Sequence, residues 1–206
     1  VAGLEKATSG NVYVDGVRVE KPGADRGMVF QSYTSFPWLT VEKNIEFGLR
    51  LRCAATGDRR EAVEHYLAAT GLTEFRSTYP KDLSGGMQQR VAIARTMANA
   101  PEVLLMDEPF GALDAQTRWE MQELLLKVWS ETEITVLFVT HDVEEAVFLA
   151  DRIYVSTARP SRLKQEFQVP FDRPRETRTK TSDEFAQMER DIVSMIRKEA
   201  IGDKNT

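Results

Sequence analysis

The 206-residue chain holds a single cysteine, Cys53, so no disulfide framework can be built from it. That count points to a reducing compartment and leaves Cys53 as an ordinary residue of a helix. Basic residues are not in excess: 27 Lys and Arg stand against 32 Asp and Glu, a net charge of −5. A chain built to grip nucleic acid usually shows a basic balance or stripe, so nucleic acid is not the expected partner. No apolar run approaches the ~18 residues needed to cross a bilayer, and no signal peptide is visible. The chain opens on "VAGLEK" without a methionine, which suggests that it is cut from a longer protein. What remains is an ordinary globular composition, 42% hydrophobic and 29% charged, long enough for one real core.

Valines flank Asp15-Gly16 in "NVYVDGVRVE", a hairpin signal. "RGMVF" reads as a short strand ending just before Gln31, and "SYTSFPWLT" as a loop. The pattern from Val41 to about Leu72 is helical, with Gly71 as its stop. "LSGGMQQRVAIARTM" is a helix with its glycines at the head and Val91, Ile93, Ala94 and Met97 on its buried side. "EVLLMDEP" and "ITVLFVT" are short continuous apolar runs, as in strands buried on both faces of a parallel sheet. Between them Asp114 caps a helix carrying Met121, Leu124, Leu125 and Val128 at helical spacing. Asp142 begins another helix, and "RIYV" is a third strand. Strand–helix–strand alternation argues for an α/β core with a parallel sheet. Beyond Ser156 come "ARPSR" and "FDRPRETRTK", whose arginines suit a solvated surface or docking to another chain or anionic surface. An amphipathic helix with Phe185, Met188, Ile192, Met195 and Ile196 on one face closes the chain.

Chemistry concentrates at the carboxyl ends of these strands, where open α/β sheets place ligands. Asp107 and Glu108 arrive together after an apolar run. Successive side chains on a strand point opposite ways, so one carboxylate can hold Mg²⁺ while the other acts on a water. The alternative is a solvated pair on the loop. His141 has the same address and can donate a hydrogen bond to a developing phosphate charge. Gln31 follows a strand too, and its amide can orient a water or ligate a metal. Ser84 is a natural N-cap, and Gly85 and Gly86 let a helix N-terminus approach a phosphate, although Ser-Gly-Gly alone is more often a capped turn. His65, on a polar helix, reads as structural.

Taken together and in order, these segments resemble the nucleotide-binding subunits of ABC transporters. "VFQ" is similar to the Q-loop, "LSGGM" to the signature, "VLLMDEP" to the Walker B strand, "GALDA" to the D-loop and "THD" to the switch histidine. Met87 stands where many such proteins have glutamine. "FPWLTVEKNIEFGL", "DEPFGALDAQTR", "TVLFVTHDVEEAVFLADRIYV", "ARPSR" and "RPR" resemble the nitrate, sulfonate and taurine importer group.

The resemblance implies a RecA-like P-loop NTPase core with a parallel sheet over residues 1–31 and 99–160, with a small antiparallel hairpin. It implies an ABC helical subdomain over 32–98 and a C-terminal extension over 161–206. Asp107, with Gln31, would serve Mg²⁺; Glu108 would activate the attacking water; His141 would contact the γ-phosphate of ATP; Gln31 would relay to the permease. Ser84, Gly85, Gly86 and Gln88 would contact nucleotide, and Asp114 the other subunit. The expected partners are a second ATPase subunit, usually an identical one, a transmembrane permease touched by Phe36 and Trp38 of the 32–40 loop, and indirectly a substrate-binding protein. The expected place is the cytoplasmic face of the inner membrane. A soluble DNA-repair ABC ATPase would carry a coiled-coil or zinc insertion between Gln31 and Leu83, and too few positions separate them. A non-catalytic interaction fragment is the other alternative.

One motif of that family is missing from these 206 residues: the phosphate loop G-x-x-x-x-G-K-[ST]. "VAGLEKATSG" resembles the stretch just after it, which would put the loop's lysine about seven residues ahead of Val1. Such a loop supplies charge-assisted hydrogen bonds of roughly 1.5–3 kcal/mol each, so losing four costs at least ~6 kcal/mol, or more than ~10⁴-fold in affinity. The expectation is that the chain by itself neither hydrolyses ATP nor folds robustly.

Overall fold

The computed structural model describes residues 1–202 apart from Tyr33, Glu133 and Arg159; the side chains of 199–202 lie outside the description as well. The chain divides into two units, Val1–Val139 and Thr140–Thr206.

The first unit opens with the hairpin, β1 (Tyr13–Val14) against β2 (Val17–Arg18). Asp15 and Gly16 both take positive φ, 46° and 77°, as a two-residue type I′ turn demands. A parallel sheet follows in the order β3 (Arg26–Val29), β4 (Val103–Asp107), β5 (Thr135–Val139). Val29 pairs with Met106 and Asp107 with Val139, so the carboxyl ends of the strands lie level. The apolar run of β4 is buried as expected, with Leu104, Leu105 and Met106 all inside. β5 departs from expectation: Leu137 and Val139 are exposed while Val136 and Phe138 are partly covered. It is an edge strand of this sheet, and Thr135, Leu137 and Val139 alternate as its exposed positions.

Four α-helices join this sheet among the described residues: α1 (Val41–Leu51), α2 (Thr56–Ala69), α3 (Gly85–Met97) and α4 (Ala115–Thr132). The single helical run expected from Val41 to Leu72 is therefore two helices. Cys53 lies in the break, exposed and with φ of 54°, so it is not the helix residue the sequence suggested. No proline or glycine marks that break; Cys53 turns the chain out of α1 in a conformation most side chains avoid. The second stop is legible: Gly71 (φ 68°) sits just past α2, its N–H bonding the Ala68 carbonyl while Leu72 N–H bonds the Leu67 carbonyl. That is a Schellman ending, with Leu67 and Leu72 both fully buried beside it. The core gathers Ile45, Leu67, Leu72, Ile93, Leu104, Met106 and Met121, each contributing roughly 1.5–3 kcal/mol.

The second unit starts with α5 (Val143–Leu149), capped by the Asp142 carboxylate, which accepts from Glu145 N–H at 3.2 Å. β6 (Arg152–Ser156) does not extend the parallel sheet as "RIYV" suggested. It pairs antiparallel with β7 (Leu163–Gln168) in a separate hairpin. The β7 sequence "LKQEFQ" is largely polar and exposed, which is why composition hides it. A 3-10 turn (Thr177–Thr181) leads into α6 (Asp183–Gly202), whose Phe185 and Ile192 are buried while Ile196 stays exposed.

Candidate functional site

The level strand ends of the first unit bring Gln31 and Glu108 together: the Gln31 amide Nε2 donates to Glu108 Oε2 at 3.2 Å, across 77 positions of sequence. Asp107 is the last residue of β4 and is exposed. Glu108 has left the strand. Its φ is 44°, a left-handed value rare for a side-chain-bearing residue, and its N–H donates to the Val139 carbonyl at 2.9 Å. Adjacent carboxylates are thus separated by a backbone reversal, not by the strand alternation read from the sequence. A strained residue held by its surroundings is a recurrent mark of functional sites.

The donor set fits magnesium. Among the described residues no group of three His, Cys, Asp or Glu side chains is gathered as a metal cage. Mg²⁺ needs none, because it takes one or two carboxylates and fills its octahedron with phosphate oxygens and water. Asp107 offers an exposed carboxylate. Gln31 donates through its amide nitrogen and so keeps a carbonyl oxygen for a cation.

A second cluster lies at the head of α3. Ser84 is its N-cap, the hydroxyl oxygen accepting from Met87 N–H at 3.4 Å. Gln88 turns its amide back onto the Leu83 carbonyl, 3.1 Å away. Ser84 is exposed, Gly85 half-buried and Gly86 buried. A Cβ on Gly86 would collide with the methyl group of Thr117 in the first turn of α4. The same Thr117 holds Asp114 twice, N–H to Oδ1 at 3.0 Å and hydroxyl to Oδ2 at 2.7 Å. Those two bonds from Thr117 hold the Asp114 carboxyl below its ordinary range. Gly86 is therefore a glycine because α3 and α4 touch there. Arg90 and Glu120 tie the same two helices at 3.2 Å. Thr117 escaped the sequence reading, since a threonine in a helix's first turn carries no motif.

His141 belongs to the second unit, exposed in the turn ahead of α5 and next to its cap Asp142. His65 pairs with Glu131 at 3.3 Å, the structural use expected of it.

The 32–40 loop is held by a residue the sequence reading missed. Asn44, fully buried on α1, accepts from Phe36 N–H at 2.8 Å and donates to the carbonyls of Phe36, Leu39 and Thr40 at 3.0–3.1 Å. The signal was present: Asn44 interrupts the Val41, Ile45, Leu49 stripe, where a polar side chain must find partners. Phe36 is not an exposed aromatic. It is half-buried, 4.4 Å from the Phe47 ring and under the Arg95 guanidinium. Trp38 is 70% exposed and leans on Phe36 at 5.5 Å. Tyr33 of that loop, and Arg159 of "ARPSR", lie outside the described residues. Phe36, Phe47, Leu51, Arg52, Arg95 and Asn99 line an open cavity of about 500 Å³ in the first unit. Among the described residues no helix is long and apolar enough to cross a membrane.

A level edge carrying Gln31, Asp107 and Glu108, in a unit that also holds a glycine-headed helix, defines a nucleotide-binding α/β protein of the P-loop kind. The chain belongs to the ABC transporter family, whose profile it matches over residues 1–111. It is 49% identical over 203 residues to the nitrate import ATP-binding protein NrtD of Synechocystis sp., covering 96% of this chain and 76% of that one. It is 48% identical over 170 residues to the taurine import ATP-binding protein TauB of Pelagibacter ubique, covering 82% and 64%. Among solved structures, the ATP-binding cassette MJ0796, described as a dimer in a post-hydrolysis state bound to ADP and Pi, superposes with a TM-score of 0.69 at 33% identity, covering 83% of this chain and 78% of that one.

Proposed function

We propose that this chain is the catalytic, sensing and partner-facing portion of an ATPase subunit that drives import of a small anion of the nitrate, sulfonate or taurine type. The hydrogen bond from Gln31 to a left-handed Glu108 carries the reading, because it links a Q-loop amide to the carboxylate that would act on water. Glu108 accepts a proton from the attacking water as general base. Asp107 and the Gln31 carbonyl oxygen would hold Mg²⁺, and the cation would supply charge neutralisation at the phosphate when bound. His141 donates a hydrogen bond to the γ-phosphate of ATP. Ser84, Gly85, Gly86 and Gln88 present the amino end of α3 to ATP held by a second, usually identical, subunit. Asp114 meets that subunit as well.

The division of labour follows three segments: 1–31 and 99–160 as the ATPase core, 32–98 as the helical subdomain and 161–206 as an extension. The 32–40 loop, with Trp38 outermost, contacts a transmembrane permease served by a substrate-binding protein. The subunit is thereby peripheral at the cytoplasmic face of the inner membrane. The names of the nitrate and taurine relatives support this branch.

These 206 residues contain no phosphate loop, so their share of the ATP grip is incomplete. The test compares ATP turnover by the 206-residue chain with turnover by the same chain carrying the loop ahead of Val1. Turnover is expected only in the second, and Glu108→Gln there is expected to lower kcat at least ~10²-fold with ATP binding retained. Equal turnover in both, or a Glu108→Gln protein with unchanged kcat, overturns the assignment.

A further inference from the structure

Two arginines of the C-terminal extension, Arg173 and Arg175, turn away from the solvated face that Arg162 and Arg178 occupy. Arg175 is 6% exposed. Its Nη1 donates to the Phe148 carbonyl at 3.1 Å and the Ala150 carbonyl at 2.7 Å. Its Nε and Nη2 both donate to the Phe171 carbonyl at 3.1 Å, and Nη2 also reaches Asp151 at 3.3 Å. Arg173 donates to the Leu149 carbonyl at 2.8 Å and to Asp151 at 2.9 Å. Phe148, Leu149 and Ala150 are the end of α5, where helix carbonyls lose their intrahelical donors and attract cations.

The other end of α5 is held from the same segment. Lys180 donates to Glu144 at 2.7 Å and lies over the Phe148 ring, 4.4 Å from its centre. Glu144 is three residues past His141. Burial and the neighbouring Arg173 push the Arg175 guanidinium down to about 10, so it stays charged at neutral pH and keeps its donors. A seven-residue helix is too short to hold its own register; fixed cations at its carboxyl end and a lysine on its first turn supply what its length does not.

We propose that Arg175, with Arg173 and Lys180, forms a brace that fixes α5 and thereby positions His141, making the extension part of the hydrolytic apparatus. The inference rests on the proposed role of His141. In the loop-bearing protein, Arg175→Ala is expected to lower kcat about tenfold while the KM for ATP changes less than threefold, and Arg175→Lys to recover only part of the loss. In a His141→Ala background Arg175→Ala should cost less than twofold more, since both changes remove one interaction. Amide hydrogen exchange should rise in Val143–Leu149 and stay unchanged in α1–α4.

Unchanged kcat in folded Arg175→Ala, or a full tenfold additional loss in the His141→Ala background, overturns the brace. If Arg175→Ala does not fold, Lys180→Met carries the same comparison. It leaves the buried guanidinium in place, and an effect confined to exchange with no fall in kcat counts against positioning. A wild-type protein without ATP turnover refutes the ATPase reading instead. In that case faster α5 exchange in Arg175→Ala leaves the brace of α5 standing, and unchanged exchange removes it too.

Discussion

Glu108 is the residue on which the proposed chemistry turns, and its conformation could not be read from "DEP". The motif announces two carboxylates at a strand end; the φ of 44° and the Gln31 contact are properties of the folded edge. Asp114 was legible both as an N-cap and as a family position, because caps are local. Thr117, which holds it, was not. Asp114→Ala is expected to lower the melting temperature by a few degrees, and Thr117→Val by less, because the valine loses one hydroxyl bond and keeps the methyl against Gly86. The Asp114 carboxyl titrates lower folded than unfolded. Its contribution is therefore complete above the unfolded value near 3.9 and disappears as pH falls through the folded one. Acid melts of the wild type and Asp114→Ala should converge once the pH has fallen through the folded value; curves that stay parallel there count against the cap.

At the scale of elements, the 32–40 loop is built on α1. One buried asparagine, accepting one hydrogen bond and donating to three carbonyls, fixes its path, Phe36 packs beneath it, and Trp38 is left standing out. The loop is rigid at its base and apolar at its tip, the arrangement a protein partner can anchor on. Trp38→Glu in the loop-bearing protein is expected to abolish transport in reconstituted vesicles while basal ATPase stays within about twofold. Transport at the wild-type rate removes this loop as the permease contact. The helix limits were legible where chemistry marked them, at Ser84, Asp142 and Gly71. They were hidden at Cys53, where nothing in the side chain announces a left-handed turn.

For the whole molecule, the α3 head is exposed at Ser84, and in a two-fold assembly it would meet nucleotide on the other subunit. ATP should therefore convert the loop-bearing Glu108→Gln protein from monomer to dimer on a sizing column. Adding Ser84→Arg should keep it monomeric, because a long cation replaces a small hydroxyl where two surfaces close. Dimerisation undisturbed by Ser84→Arg argues that α3 faces elsewhere.

The sequence by itself determined most of the elements, though not the break at Cys53 or strand β7, and the order of the motifs. An apolar run, a cap, a glycine stop or a carboxylate pair acts through neighbours a few residues away, and so leaves a local trace. Tertiary structure alone decided which of those motifs meet. Parallel register set Gln31 against Glu108, helix contact explained Gly86 through Thr117, and β6 found its partner in a polar β7. It also decided the fate of Arg173 and Arg175. An arginine run reads the same whether water or carbonyl oxygens surround it, and only the folded chain, bringing Arg175 to the end of α5, shows which solvates the charge.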